Sequence, residues 1–79
     1  MHDFKQFVKE RDSALRSLDK AKILAYCRKY GVPIPSNEIV FWAGIHKSRL
    51  QVKSMSEEER EVSRQWLKEH SFHTEMVYL

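Results

Sequence analysis

The sequence predicts an all-α fold: a compact bundle of about four helices ending in an apolar tail. Three observations carry that expectation. Only two glycines and two prolines punctuate 79 residues. A β-sandwich or barrel needs turn signals about every 8–12 residues, and they are missing. Apolar residues recur at helical spacing in successive segments. Each of those segments follows an Asp, Ser or Asn, the side chains that cap helix N-termini. The length allows a single helical domain spanning 1–79, with a core that buries about 60% of the unfolded surface and is therefore marginal.

The first helix runs from about Asp3 to Leu18. Phe4, Phe7, Val8, Leu15 and Leu18 share one face, with Ala14 filling the stripe where Arg11 interrupts it. Asp12 and Arg16, four residues apart on the other face, are spaced for an ion pair. Asp19 caps the second helix, Lys20 to Tyr30. Ile23, Tyr26, Cys27 and Tyr30 make its apolar stripe, and Gly31 ends it in the left-handed conformation. Val32-Pro33-Ile34-Pro35 is an extended connector, because residues before proline are pushed out of the α region. Its apolar character predicts that it lies on the core.

Ser36 or Asn37 caps the third helix, which runs to about Leu50 or Gln51. Ile39, Trp42, Ala43, His46 and Leu50 form one face, and Phe41, Ile45 and Val52 extend burial around to another. Such a helix is expected to be central, with Trp42 buried where the faces meet. Gly44 within it costs roughly 1 kcal/mol relative to Ala, which predicts a close approach by a neighbouring helix. Ser56-Glu57-Glu58-Glu59 is a capping box and opens a fourth helix to about Glu69 or His70. Its apolar face is thin: Val62, Trp66 and Leu67, with Ser63 between. Phe72 follows as a plug. The last stretch, ending Met76-Val77-Tyr78-Leu79, is too apolar for a solvated end and predicts contact with the bundle or with a partner.

Apolar residues at 42% and charged residues at 32% describe a globular rather than a disordered chain. The one cysteine, Cys27, rules out an intrachain disulfide and suits a reducing compartment. No apolar stretch of signal-peptide type follows Met1, and the longest apolar run, Ile39 to Ile45, is far short of the ~20 residues that span a membrane. The expectation is a cytoplasmic protein with no membrane partner.

The net charge of +3 is unevenly spread: neutral over 1–15, +6 over 16–53 and −3 over 54–79. The basic segment reads first as solvated helix faces; as a contact surface it could meet nucleic acid or an acidic partner, and the acidic last third could itself lie against it, within the chain or in a dimer. If nucleic acid or an acidic partner is bound, the expected contact residues are His46, Lys47, Arg49 and Lys53. A helix-turn-helix reader is disfavoured. The connector is long and holds two prolines, and the following helix begins with apolar residues where base-reading side chains must be polar.

Catalytic chemistry has little to stand on. There is no phosphate-binding glycine loop, paired-cysteine motif or serine nucleophile motif. His2, His46, His70 and His73 do not come at metal-site spacing with Cys27, so neither a metal nor another cofactor is predicted. Cys27 lies on an apolar stripe and reads as a packed thiol. His46 reads as a hydrogen-bonded, partly buried histidine with no local carboxylate to orient it.

The blocks Arg11-Asp12-Ser13-Ala14-Leu15, Ala25-Tyr26-Cys27-Arg28-Lys29-Tyr30-Gly31-Val32-Pro33, Val40-Phe41-Trp42-Ala43-Gly44-Ile45-His46-Lys47 and Ser63-Arg64-Gln65-Trp66-Leu67 resemble short helical proteins encoded in prophages and mobile elements of Gram-positive bacteria. Ser71 departs from the Gly that the resemblance would place before Phe72. The resemblance implies a small accessory protein and carries no activity and no functional residue. The expectation is therefore a non-enzymatic binding module that acts on a protein partner or on a second copy of itself, with Met76, Val77, Tyr78 and Leu79 as further partner contacts. The alternative is a nucleic-acid-binding regulator that uses residues 16–53.

Overall fold

The computed structural model describes residues 3–70 and Phe72. Among them are four helices and no strand: α1 (Phe4–Ser17), α2 (Lys20–Tyr30), α3 (Glu38–Gln51) and α4 (Glu57–Glu69). Each begins where a side chain satisfies orphan N–H groups. Asp3 accepts from Lys5 N, Asp19 from Ala21 N and Lys22 N, and Asn37, not Ser36, from Val40 N. Ser56 and Glu59 form the reciprocal capping box. Three glutamates in that first turn also suit the positive end of the helix dipole.

Gly31 ends α2 at φ +68°, its N–H donating to the Cys27 carbonyl. Leu18 ends α1 at φ +50°. A bulky side chain is uncommon in that left-handed conformation. Here Asp19 must begin the next helix at once, so α1 has to turn within one residue.

The helices pack in the order α2, α1, α3, α4: α2 lies on α1, α1 on α3, and α3 on α4. Two clusters make the core. Ala14, Ile23, Cys27 and Phe41 join α1, α2 and α3. Leu15, Val52 and Met55 join α1 to the α3–α4 turn. Ile45 packs against both clusters, so α3 is central in this sense. On α4 the buried residues are Ser63 and Leu67, both fully enclosed.

Polar ties hold the helix pairs in register. Glu10 on α1 accepts from Lys29 Nζ at 2.7 Å and from the Tyr30 hydroxyl on α2. Those bonds hold its carboxyl at about 2. Phe7 packs edge-on against Tyr30 beside them. Lys20 pairs with Glu38 across α2 and α3.

Several expectations are corrected. Arg16 bonds to Glu59 rather than Asp12, while Asp12 accepts from Arg11 and from the Ser54 hydroxyl. Trp42 is half-buried: its ring covers Phe41 edge-on, and its indole N–H donates to Glu38. Ile39, Val40 and Val62 are exposed, so the face of α4 that packs inward is Ser63–Leu67 rather than Val62. Of the connector, only Val32 packs against the core, whereas Ile34 is exposed. None of the described helices approaches Gly44, since a Cβ there would meet nothing within 4 Å among the described residues.

Leu67→Ala should therefore lower stability by about 2–5 kcal/mol, because it opens a cavity in a fully enclosed site. Gly44→Ala should raise stability by roughly 0.5–1 kcal/mol, because it adds helix propensity without a clash. Chemical denaturation of the two variants beside the parent checks both signs.

Candidate functional site

The third helix positions every described residue of interest. Its inward side carries Phe41, Ile45 and Arg49, with Val52 at its C-cap, and its side toward α4 carries His46. The sequence pattern then leaves Val40, Gly44, Lys47 and Gln51 facing outward, spaced at three and four residues.

His46 is 4% exposed. Its Nδ1 shares a 3.0 Å hydrogen bond with the Ser63 hydroxyl of α4. Its ring stacks on Trp66, with centroids 4.7 Å apart. Trp66 in turn stacks with His70 at 3.9 Å, and the His70 Nδ1–H donates to the Trp66 carbonyl. Burial pulls the His46 imidazole down from 6.5 to about 4, helped by the charges of Arg49 and His70. The ring is therefore neutral at pH 7 and seals the α3–α4 seam. Ser63 is fully enclosed, so this His–Ser pair offers no hydroxyl to a substrate.

Arg49 is also buried, at 3% exposure. Its Nη2 donates to the Glu59 carbonyl at 3.1 Å, while Nε and Nη1 are buried without a protein partner. The nearby Glu59 carboxylate, itself bonded to Arg16 and to Ser56 N–H, partly offsets the charge. Arg49 and His46 thus face inward, and neither is presented to a partner. Lys47 and Lys53 are exposed. Lys47 reaches over the Phe72 ring, 5.3 Å from its centroid. Met76, Val77, Tyr78 and Leu79 lie outside the described residues.

A groove runs along α3. One part, a cavity of about 240 Å³, has apolar walls from Tyr26, Cys27, Val32, Pro33, Phe41 and Ile45, with Gly44 and Ser48 along its α3 side. A second cavity of about 530 Å³ shares Arg11 and Ser48 with the first and continues past Gln51 to Lys53 and Ser54. Burial pushes the Cys27 thiol upward, so at neutral pH it is an apolar wall rather than a nucleophile. The sequence marks this groove at one point only: a glycine inside an otherwise well-formed helix.

No group of three His, Cys, Asp or Glu able to hold a metal occurs among the described residues. None of the described helices is long and apolar enough to cross a membrane. No family model, curated protein or solved structure matches the chain.

Two stability predictions follow from the buried polar groups. His46 titrates near 6.5 when unfolded and at about 4 when folded. Its neutral form therefore supports the fold fully above pH 6.5, and that support is lost as pH falls toward 4. The parent should lose roughly 2–3 kcal/mol more than His46→Asn between pH 7 and pH 4, as read by urea unfolding at each pH. Arg49→Met keeps the volume and removes two buried nitrogens, Nε and Nη1, that lack a protein partner. It should melt at or above the parent temperature, whereas Arg49→Ala should melt below it.

Proposed function

We propose that the protein is a small, non-enzymatic binding module that acts by docking a protein partner. The observation that supports this reading best is the groove along α3, apolar at one end and open to solvent. Exposed Ile34, Ile39 and Val40 lie on the connector and the first turn of the same helix. Exposed apolar side chains of this kind beside an apolar groove suit protein contact.

The alternative, a nucleic-acid regulator, loses much of the charge it needs. Of the eight basic side chains in residues 16–53, Arg16, Lys20 and Lys29 are ion-paired within the chain and Arg49 is buried. Lys22, Arg28, Lys47 and Lys53 are left exposed. Lys22 and Arg28 lie on α2, and Lys47 and Lys53 on and after α3.

Binding to generic duplex DNA across a salt series tests the choice. Each phosphate contact contributes about −0.9 to the slope of log affinity against log salt. The expected result is weak binding with a slope no steeper than about −2, together with stoichiometric capture of a protein partner at ~150 mM salt. A slope near −4 or beyond would favour the nucleic-acid regulator.

A further inference from the structure

We propose that α4 is an acid-operated lever: protonation of His46 lifts the later turns of the helix off α3, while its start stays fixed and α1, α2 and α3 stay packed. Three features of the fold support this. The start of α4 is firmly fastened, its later turns are lightly held, and a buried titratable ring lies between those turns and α3.

The start is fastened to each neighbour. The capping box ties Ser56 to Glu59. The Glu59 carboxylate accepts from Arg16 on α1, and its carbonyl accepts from Arg49 on α3. Arg60 Nη2 donates to the Val52 carbonyl at the end of α3. Met55, just before the helix, is buried in one cluster with Leu15 and Val52.

Beyond Arg60 the links change. Arg64 pairs with Glu57 and Glu61, Gln65 donates to Glu69, and His70 bonds to the Trp66 carbonyl, all within α4 or its C-cap. Toward α3 stand the His46–Ser63 bond, the His46–Trp66 stack and Lys47 over Phe72. Leu67 is fully enclosed but belongs to neither apolar cluster. Both clusters are built from α1, α2, α3 and the turn after α3, so release of the later turns leaves them intact.

His46 is the group that couples this seam to protons. Its ring is buried, yet it forms part of the wall of a cleft of about 450 Å³ among Leu18, Trp42, Val62, Trp66 and Glu69. A proton therefore reaches it without unfolding of the chain. After burial itself, the charges of Arg49, one turn along α3, and of His70, at the end of α4, oppose a positive ring. Glu69 of α4 borders the cleft and accepts from Gln65, and Glu38 of α3 is paired with Lys20. From α1 the cleft receives Leu18, which carries no charge. In the closed seam an imidazolium stands beside buried Arg49, whereas in the open seam water solvates it.

The other ties outlast the seam as pH falls. The ring gains its proton near 6.5 when released and at about 4 when enclosed, so acid favours the open seam. Glu10 keeps its carboxylate down to about 2 and holds α1 to α2. Glu59 is also held below the usual carboxylate range, so the start of α4 remains fastened.

Native-state amide exchange of the full chain, corrected for the intrinsic rate at each pH, reads the two parts separately. A released helix of 13 residues is marginal in water, so its amides exchange once it lifts. Between pH 7 and pH 4.5, protection from Arg64 to Glu69 should fall at least tenfold further than protection of Ile23 and Cys27. Full linkage to His46 sets the extra loss on the order of fiftyfold. His46→Asn should abolish it, so that the two sets of amides change in step. Arg49→Met should shrink it, with the His46 ring resonances titrating at higher pH than in the parent.

An equal loss of protection in α2 and α4 would make the acid transition global and overturn the proposal. So would full protection of α4 at a pH where the ring resonances show His46 protonated. The same extra loss in His46→Asn, or an unchanged loss in Arg49→Met, would assign the opening to another group and overturn it as well.

Discussion

Glu59 is the residue on which the arrangement of α1, α3 and α4 depends. Its carboxylate accepts from the Ser56 N–H at 2.8 Å and from Arg16 Nε at 3.1 Å. Its backbone N–H donates to the Ser56 hydroxyl, and its carbonyl accepts from buried Arg49. One residue therefore starts α4, ties it to the end of α1 and receives the guanidinium that enters from α3. The Ser56 backbone bond, the strongest of these influences, holds its carboxyl below the usual range, followed by the Ser56 hydroxyl and the Arg16 charge. The carboxylate stays ionised through the neutral range and keeps its negative charge beside Arg49.

So much rests on one polar residue because the core is small. The two apolar clusters are separate, and Ile45 packs against both. Neither cluster includes a residue of α4, which is secured instead by fully enclosed Leu67, the His46–Ser63 bond and the Glu59 contacts. Hydrogen bonds of this kind contribute about 1 kcal/mol each, but their directionality sets the rotation and height of each helix where apolar packing alone would allow sliding. Glu10 does the same for α1 and α2 through Lys29 and Tyr30. The bundle is thus an apolar centre aligned by polar links at its periphery, and the groove along α3 lies where no second layer of the described residues covers that centre.

Most of the fold was legible because local signals and periodicity agreed. Asp3, Asp19 and Ser56 cap the helices they precede, and Gly31 ends α2 in the left-handed conformation. The less legible parts depend on which side of a helix meets a neighbour, and period alone does not say. Ile39 belongs to the same stripe as Trp42 and His46 yet is exposed, because it sits in the first turn of α3. Arg49 looked like a surface cation because arginine is rarely buried without a partner. Its burial depends on a carbonyl ten residues away in sequence, across the α3–α4 turn, a relation no local pattern encodes. The sequence predicts a partly buried, hydrogen-bonded His46 but not its partner, Ser63, seventeen residues away. Met55, in a turn with no helical period, gave no sign that it would be buried.

The same non-local contacts change what the charge of the chain means. A segment at +6 is a property of composition, but a partner meets only the charge left at the surface. Ion pairs with Glu10, Glu38 and Glu59 take up Lys29, Lys20 and Arg16, and the fold buries Arg49. The acidic partners come from α1, α3 and α4, so the neutralisation appears only when the helices assemble. What persists at the surface around α3 is sparse positive charge beside an apolar trough and a bare stretch of helix backbone at Gly44. Burial and pairing thus leave at the surface only part of the charge that makes the segment read as broadly basic.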